Sequence, residues 1–278
     1  MSGVLYIVAT PIGNLEDMTF RAVRILGEAD LIAAEDTRHS LKLLNHFNIS
    51  RPLTSYFDHN QQLKGERIIQ ALQEGKNVAL VSDAGTPCIS DPGYQLVKAA
   101  LACGVRVIPI PGACAAVAAL SAAGLPSDMF TFAGFAPSRQ GKRRSFLSGI
   151  SSLPGTVILY EAPHRIGATL ADIRETMGER RIVLAREITK IYEQFLSGTV
   201  SEVLEQLVQG CAKGEMVIMI EPGDTVVADI EPVESLLKRF VIDEKLPAKD
   251  AARKISEISN ISKTEAYRLV LETRNSGG

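Results

Sequence analysis

Residues 77–110 read NVALVSDAGTPCISDPGYQLVKAALACGVRVIPI. A continuous apolar run, NVALV, ends in a loop dense in glycine, proline and aspartate. A helical pattern, YQLVKAALACG, follows, and a second apolar run, RVIPI, closes the stretch. This is the signature of parallel strands joined by a helical crossover. Neither run alternates in polarity, as expected when both faces of a sheet are covered. The loop SDAGTPCISDPG (82–93) is richer than a connection requires. Gly85 carries no Cβ, so another molecule can approach the backbone there. Pro87 and Pro92 stiffen the path and remove donors. Asp83, Thr86 and the freed amides can then bond a polar ligand. A rigid surface turn is the plain alternative, with Asp91 as the cap of a helix starting near 93.

Working outward, VLYIVA and DLIAA are further strand-like runs. TFRAVRILGEA and KGERIIQALQEG are helical. A second series starts near 129 with MFTFAGF, TVILYEA, RRIVLAREI and GEMVIMIEPG, with helical stretches at about 139–149, 164–177 and 200–209. The small-residue helix GACAAVAALSAAGLP (112–126) joins the two series. This predicts an α/β domain over 1–111 and a second over 112–229. From 230 the character changes to three helical patterns, VESLLKRFVIDEKL, PAKDAARKISEIS and SKTEAYRLVLETR, which read as a small helix-turn-helix-like module over 230–278. Ser262 and Glu265 fit a capping box.

Composition narrows the function. Thirty basic and 32 acidic residues leave no global field for nucleic acid or membrane. The module from 230 on has nine basic and eight acidic residues, a net of +1, so its charge alone does not make it a nucleic-acid binder. The opening MSGVLYIVATPIGN has no basic leader region and reads as a buried strand. No apolar stretch reaches membrane-spanning length. Cysteines 88, 103, 114 and 211 lack CxxC spacing, which fits reduced thiols and a cytoplasmic chain. Histidines 39, 46, 59 and 164 are scattered, and no metal is expected.

Strand carboxyl ends gather at one edge of a parallel sheet, where ligands bind. Those ends here are TPIGN (10–14), AEDTR (34–38), SDAGTP (82–87) and PIPGAC (109–114). TPIGN lacks GxGxxG, so an ordinary dinucleotide fold is not supported. Asp17 to Thr19 read as a local cap. PGACAAVAA puts small side chains at a helix start, where orphan amides can meet ligand oxygens and space remains for a flat ring; tight helix packing suits the same alanines. AEDTR offers Glu35, Asp36 and Arg38, either with a proton acceptor among them or as an ion pair plus cap. YEAPHRI and AREITKIYE add Arg165, Glu187 and Lys190 near later strand ends. Arg139, Lys142, Arg143 and Arg144 form a basic run that is either a phosphate-binding patch or a solvated face. Tyr56 and Phe57 are candidate stacking aromatics, with core packing the alternative for Phe57.

Taken together, LYIVATPIGNLEDMTFRA, AAEDTR, VSDAGTPCISDPG, PGACAAVAAL and LYEAPHRI resemble the tetrapyrrole methylase superfamily, and within it the ribosomal RNA small-subunit methyltransferase I family. The likeness runs from residue 1 to about 228, and the helical tail is similar to the helix-turn-helix that ends those enzymes. It implies two α/β domains of the class III methyltransferase type, with a small C-terminal all-helical module. It implies S-adenosyl-L-methionine in the interdomain cleft, a homodimer, and methylation of a cytidine ribose 2′-hydroxyl in the decoding region of small-subunit ribosomal RNA. The partner would be that RNA or the assembling small subunit, in the cytoplasm and away from membranes. By position, Asp83, Ala84, Gly85, Thr86, Cys114, Ala115, Tyr160 and Ala185 would line the cofactor site. Asp36, Glu187 and Lys190 are the candidate catalytic groups. Arg38, Arg139, Lys142, Arg143, Arg144 and Arg165 are the candidate substrate contacts. Two other readings stay open: a methylase acting on a corrin-type ring or a modified protein residue, and a non-catalytic nucleic-acid-binding regulator.

Overall fold

The computed structural model describes all residues except 1, 58–60, 210–213, 224–232, 260 and 277–278. Five strands form the first sheet: β1 (Val4–Val8), β2 (Leu31–Ala34), β3 (Leu53–Ser55), β4 (Val78–Val81) and β5 (Arg106–Ile110), in the order β3-β2-β4-β1-β5. Every pairing is parallel. Helices α1 (Phe20–Glu28), α2 (Thr37–His46), α3 (Gln61–Gln73) and α4 (Tyr94–Ala102) fill the crossovers.

The sheet is covered on both faces, as its unbroken apolar runs require. Val8, Ile32 and Ala34 pack with Ile25, Leu26 and Leu44 of α1 and α2. Leu5, Ala33 and Leu80 pack with Ile68, Leu72 and Leu96 of α3 and α4. Burial of each such large side chain contributes about 1.5–3 kcal/mol before entropy is counted. Helix α1 starts at Thr19, whose hydroxyl accepts the Ala22 amide at 3.1 Å. Ala22, Ile25 and Leu26 then fall on its buried stripe.

The second sheet holds β6 (Phe130–Phe135), β7 (Thr156–Glu161), β8 (Arg181–Arg186), β9 (Gln194–Thr199) and β10 (Met216–Ile220), ordered β6-β7-β10-β8-β9. Only β6 and β7 pair in parallel; the other three pairings are antiparallel. The apolar runs of this half do not by themselves reveal this mixed order, because they carry no information on strand direction. Helices α6 (Gln140–Ile150), α7 (Ile166–Met177) and α8 (Val200–Gln209) cover one face. The linking helix α5 (Ala115–Ala123) covers the other, its Ala116, Ala119 and Leu120 packing on Ile158, Val183 and Met219. Ile12, from the loop after β1, joins that cluster.

The chain divides into two compact units, Met1–Pro222 and Gly223–Gly278, and both sheets lie in the first. The boundary expected at 229/230 falls outside the described residues. The second unit comprises α9 (Val233–Leu237), continued by a π-helical turn over Lys238–Asp243, then α10 (Ala248–Ile258) and α11 (Lys263–Ser276). Leu236, Phe240, Ala251, Ile255, Ala266 and Val270 form its core. The Ser262 hydroxyl accepts the Glu265 amide at 3.2 Å, one half of the anticipated capping box. Among the described residues no helix is long and apolar enough to cross a membrane, and no cluster of three potential metal ligands occurs. Cys88, Cys103 and Cys114 carry free thiols; Cys211 and His59 lie outside the described residues.

Candidate active site

The four unusual loops meet at the carboxyl edge of the first sheet, and SDAGTP is their hub. Thr10 and Gly85 exchange two backbone hydrogen bonds, at 2.9 and 3.0 Å. The Asp83 Oδ1 accepts the Asp36 amide at 2.9 Å. The Thr86 hydroxyl donates to the Ala113 carbonyl at 3.0 Å. Part of the polarity of this loop therefore fixes its neighbours, and the loop is both a structural hub and a candidate ligand contact. At Gly85, φ is +80°, and a Cβ there would meet Ile12 Cγ2 at 3.3 Å.

Beside this hub lies a cavity of about 390 Å3, within the roughly 300–1,000 Å3 usual for small-molecule sites. Asp83, Ala84, Gly85 and Thr86 line it from the first sheet, Cys114 and Ala115 from the start of α5, and Tyr160 from β7. Ala185 does not: it is fully buried in the sheet core against α5. Ile12, Ile188 and Val217 add apolar wall. Among the described residues, the charged lining consists of Glu35, Asp83, Asp91, Glu161 and Glu215, with no lysine or arginine. Glu161 is paired with Arg165 at 3.1 Å and Glu215 with Lys190 at 3.0 Å.

Asp91 is a correction. The N-cap of α4 is Gly93, which receives no side-chain cap bond, and Asp91 faces the cavity instead. Burial, opposed by a hydrogen bond from Ser82 and aided by the charge of Asp83, raises its carboxyl above the ordinary value. Burial likewise raises the Cys88 thiol, with Asp91 adding to it.

The proposed catalytic groups lie outside the lining. Asp36 is the N-cap of α2, accepting the Arg38 amide at 2.8 Å and its guanidinium at 3.0 Å. These bonds hold its carboxyl down to about 2. Glu187 accepts Lys190 Nζ at 2.8 Å and the Glu215 amide at 3.1 Å. The lysine bond holds Glu187 below the usual glutamate range. Lys190 is raised despite its burial, because Glu187 and Glu215 both accept from it. All three are engaged in ion pairs: Asp36 with Arg38, and Glu187 with Lys190.

The basic run divides. Arg143 is only 4% exposed, and its guanidinium bonds Asp172 of α7 at 2.7 Å. Arg144 bonds Asp172 at 2.8 Å and Glu175 at 2.6 Å. Burial disfavours charge on Asp172, yet Arg144, Arg143 and Gln140 together hold its carboxyl below the ordinary range. These two arginines tie α6 to α7. Arg139 and Lys142 remain exposed, as does Arg38, whose side chain is 89% exposed. Arg165 also donates to the Ala136 carbonyl, so it is a structural brace of the β6 end. Tyr56 is buried at 1% exposure and cannot stack with RNA; Phe57 is partly exposed.

The family profile described as Tetrapyrrole (Corrin/Porphyrin) Methylases matches residues 4–204. A Ribosomal RNA small subunit methyltransferase I from Escherichia coli O157:H7 is 48% identical over 273 residues, covering 97% of this chain and 95% of its own length. One from Pseudomonas aeruginosa is 46% identical over 280 residues, covering 98% of each. Among solved structures, a diphthine synthase superposes with a TM-score of 0.62 at 16% identity, over 79% of this chain and 90% of that one. A uroporphyrin-III C-methyl transferase from Thermus thermophilus, complexed with S-adenyl homocysteine, gives 0.54 at 19% identity, over 81% and 100%. At such identities these structures speak for the fold alone. The chain belongs to the tetrapyrrole methylase family and, within it, to the ribosomal RNA small subunit methyltransferase I family.

Proposed function

We propose that the protein transfers a methyl group from S-adenosyl-L-methionine to the ribose 2′-hydroxyl of a cytidine in the decoding region of small-subunit ribosomal RNA. The observation that carries the donor assignment is the cavity lining: among the described residues, small and apolar walls with several carboxylates and no basic side chain. That lining suits a molecule with a flat ring, a sulfonium and an ammonium, and repels a nucleic-acid phosphate. Near-full-length relatives named for ribosomal RNA support the acceptor.

Bound in the cavity, S-adenosylmethionine supplies an electrophilic methyl on a positively charged sulfur. Asp83, Ala84, Gly85 and Thr86 would hold it from one side, and Cys114, Ala115 and Tyr160 from the other. Orientation within such a cleft can account for about 7–11 kcal/mol of barrier lowering. A ribose hydroxyl is a weak nucleophile, and a carboxylate raised toward neutrality is a better proton acceptor than one held near the bottom of the scale. Asp91 has that character and faces the cavity, so we assign it the proton. Arg139, Lys142 and Arg38 are assigned to RNA phosphates. The work would be done in the cytoplasm, on free RNA or an assembling small subunit, by a homodimer.

The test is to incubate labelled cofactor with small-subunit RNA, immature small subunits and tetrapyrroles. Label in 2′-O-methylcytidine after nuclease digestion is expected. Label in a tetrapyrrole, or in no acceptor, overturns the assignment.

A further inference from the structure

Strand β6 reads FTFAGF, and its pairing with β7 slips near the end. Phe132 pairs with Ile158, but Phe135 pairs with Tyr160, so three steps on one strand meet two on the other. This is a bulge, and Gly134 supports it at a φ of +67°. In an unbroken strand Phe132 and Phe135, an odd number apart, would point to opposite faces. Here both rings sit edge-on against Tyr160, with centroids 4.8 and 5.5 Å away. The bulge thus turns Phe135 onto the cavity lining while leaving it 56% exposed. Gly134 also runs close to the hub loop, since a Cβ on it would lie 3.6 Å from Ser90 Oγ.

A single exposed phenylalanine needs no explanation by itself. This one is re-aimed by a backbone irregularity, rests on the ring that walls the cavity, and leaves half its surface to solvent. Tyr160 and Phe135 both line the cavity, and the exposed part of Phe135 is open to whatever arrives from solution. Single-stranded RNA is recognised by splaying bases onto aromatic faces. Arg139, the N-cap of α6, and Lys142, in its first turn, follow β6 in the chain, and both are exposed.

We propose that Phe135 is the stacking platform for a nucleobase of the RNA acceptor, a role that the buried Tyr56 cannot fill. The proposal rests on the RNA reading above, and the test separates the two. The chain contains no tryptophan, so Phe135→Trp places one fluorophore at the platform. Quenching of that fluorescence by a single-stranded small-subunit RNA fragment is expected. In parallel, Phe135→Ala should raise the RNA KM at least about fivefold, while S-adenosylhomocysteine affinity stays within about twofold of wild type. Quenching without any methylation by the wild type would sink the acceptor assignment and keep the platform. Methylation with no quenching and an unchanged KM would sink the platform and keep the acceptor. An equal loss of cofactor affinity in Phe135→Ala also overturns it, because Phe135 would then be cofactor wall. With neither methylation nor quenching, both fall.

Discussion

The hydroxyl of Tyr160, on β7, accepts a hydrogen bond from the Ala116 amide at 3.1 Å. Ala116 lies in the first turn of α5, where backbone amides lack intrahelical partners. Its own N-cap is Cys114, which makes no side-chain cap bond. A phenol from the sheet that α5 packs on therefore does the work of a serine or threonine cap. Burial, followed by the neighbouring thiol of Cys114, pushes that phenol up to about 12, so it stays neutral. Tyr160→Phe should cost about 0.5–2 kcal/mol of stability, the usual range for a lost cap, and weaken S-adenosylhomocysteine binding. Cys114 already has extended N-cap geometry, φ −145° and ψ 114°. Cys114→Ser in the Tyr160→Phe background should recover much of the loss. Urea midpoints and calorimetry on the four variants decide it; a double variant no better than Tyr160→Phe would refute the cap.

The α6–α7 contact makes a contrasting pair of predictions. Asp172 is buried between Arg143 and Arg144. Asp172→Ala would strand the buried Arg143 charge and should destabilise by about 3–5 kcal/mol. Arg139→Ala with Lys142→Ala touches only exposed groups and should change stability by no more than about 0.5 kcal/mol each. The same double variant should lower the salt dependence of RNA binding by roughly one charge per residue. Denaturant titration and binding at several salt concentrations read both effects. An unchanged salt slope removes these residues from the RNA surface.

These two cases show where the sequence was informative. The strands of the first sheet are legible because Val78–Val81 and their neighbours are buried on both faces, and an unbroken apolar run has few other uses. The hub loop is legible because its glycine, prolines and aspartates are contiguous. Strand β9, QFLSGT, is an edge strand of mixed burial and gives no run to detect. The short β3 and the polar helix α2 pass unnoticed for similar reasons. Arg143 and Arg139 are the same residue type four positions apart. Which one is buried depends on Asp172, 29 residues further on. Phe135 is placed by a register slip that only Gly134 marks. Asp91 looked like a cap because an aspartate before a helix usually is one.

Lys190 holds three segments together. Its ammonium bonds Glu187 at 2.8 Å and Glu215 at 3.0 Å, and its stem crosses the loop after β1. A Cβ on Gly13 would lie 2.4 Å from Lys190 Cγ, and its φ of +152° disfavours any side chain there. Lys190→Met should cost about 1.5–3 kcal/mol through the partly buried Glu187 bond; the exposed Glu215 arm adds little. Gly13→Ala would displace the same stem, so the double variant should lose less than the sum by more than about 0.5 kcal/mol. The pH dependence follows from the two shifts. Glu187 is depressed, so its contribution is present above the ordinary 4.5 and lost as pH falls through its lower folded value. Lys190 is raised, so its contribution is present below 10.5 and lost as pH rises through its higher folded value. The gap between wild type and Lys190→Met should be flat between those limits and close beyond them. A gap that varies across neutral pH would contradict the pairing.

Asp91 and Asp36 offer opposite environments for the same carboxyl group. Asp36 is held at about 2 by Arg38 and caps α2. Asp36→Asn keeps an oxygen for that cap and should leave kcat nearly unchanged. Asp91 faces the cavity with a raised carboxyl. If it accepts the proton of the attacking hydroxyl, Asp91→Asn should lower kcat by about 10²–10⁴ with cofactor affinity retained. The wild-type rate should also fall on the acid side at a pH above 3.8, since a base must be deprotonated to act. That acid limb should vanish in whatever residual activity Asp91→Asn keeps. Single-turnover methylation across a pH series separates the candidates. A normal rate in Asp91→Asn, or a collapse in Asp36→Asn, would return the role to the strand end after β2, and the arginine bond there would have to open before each turnover.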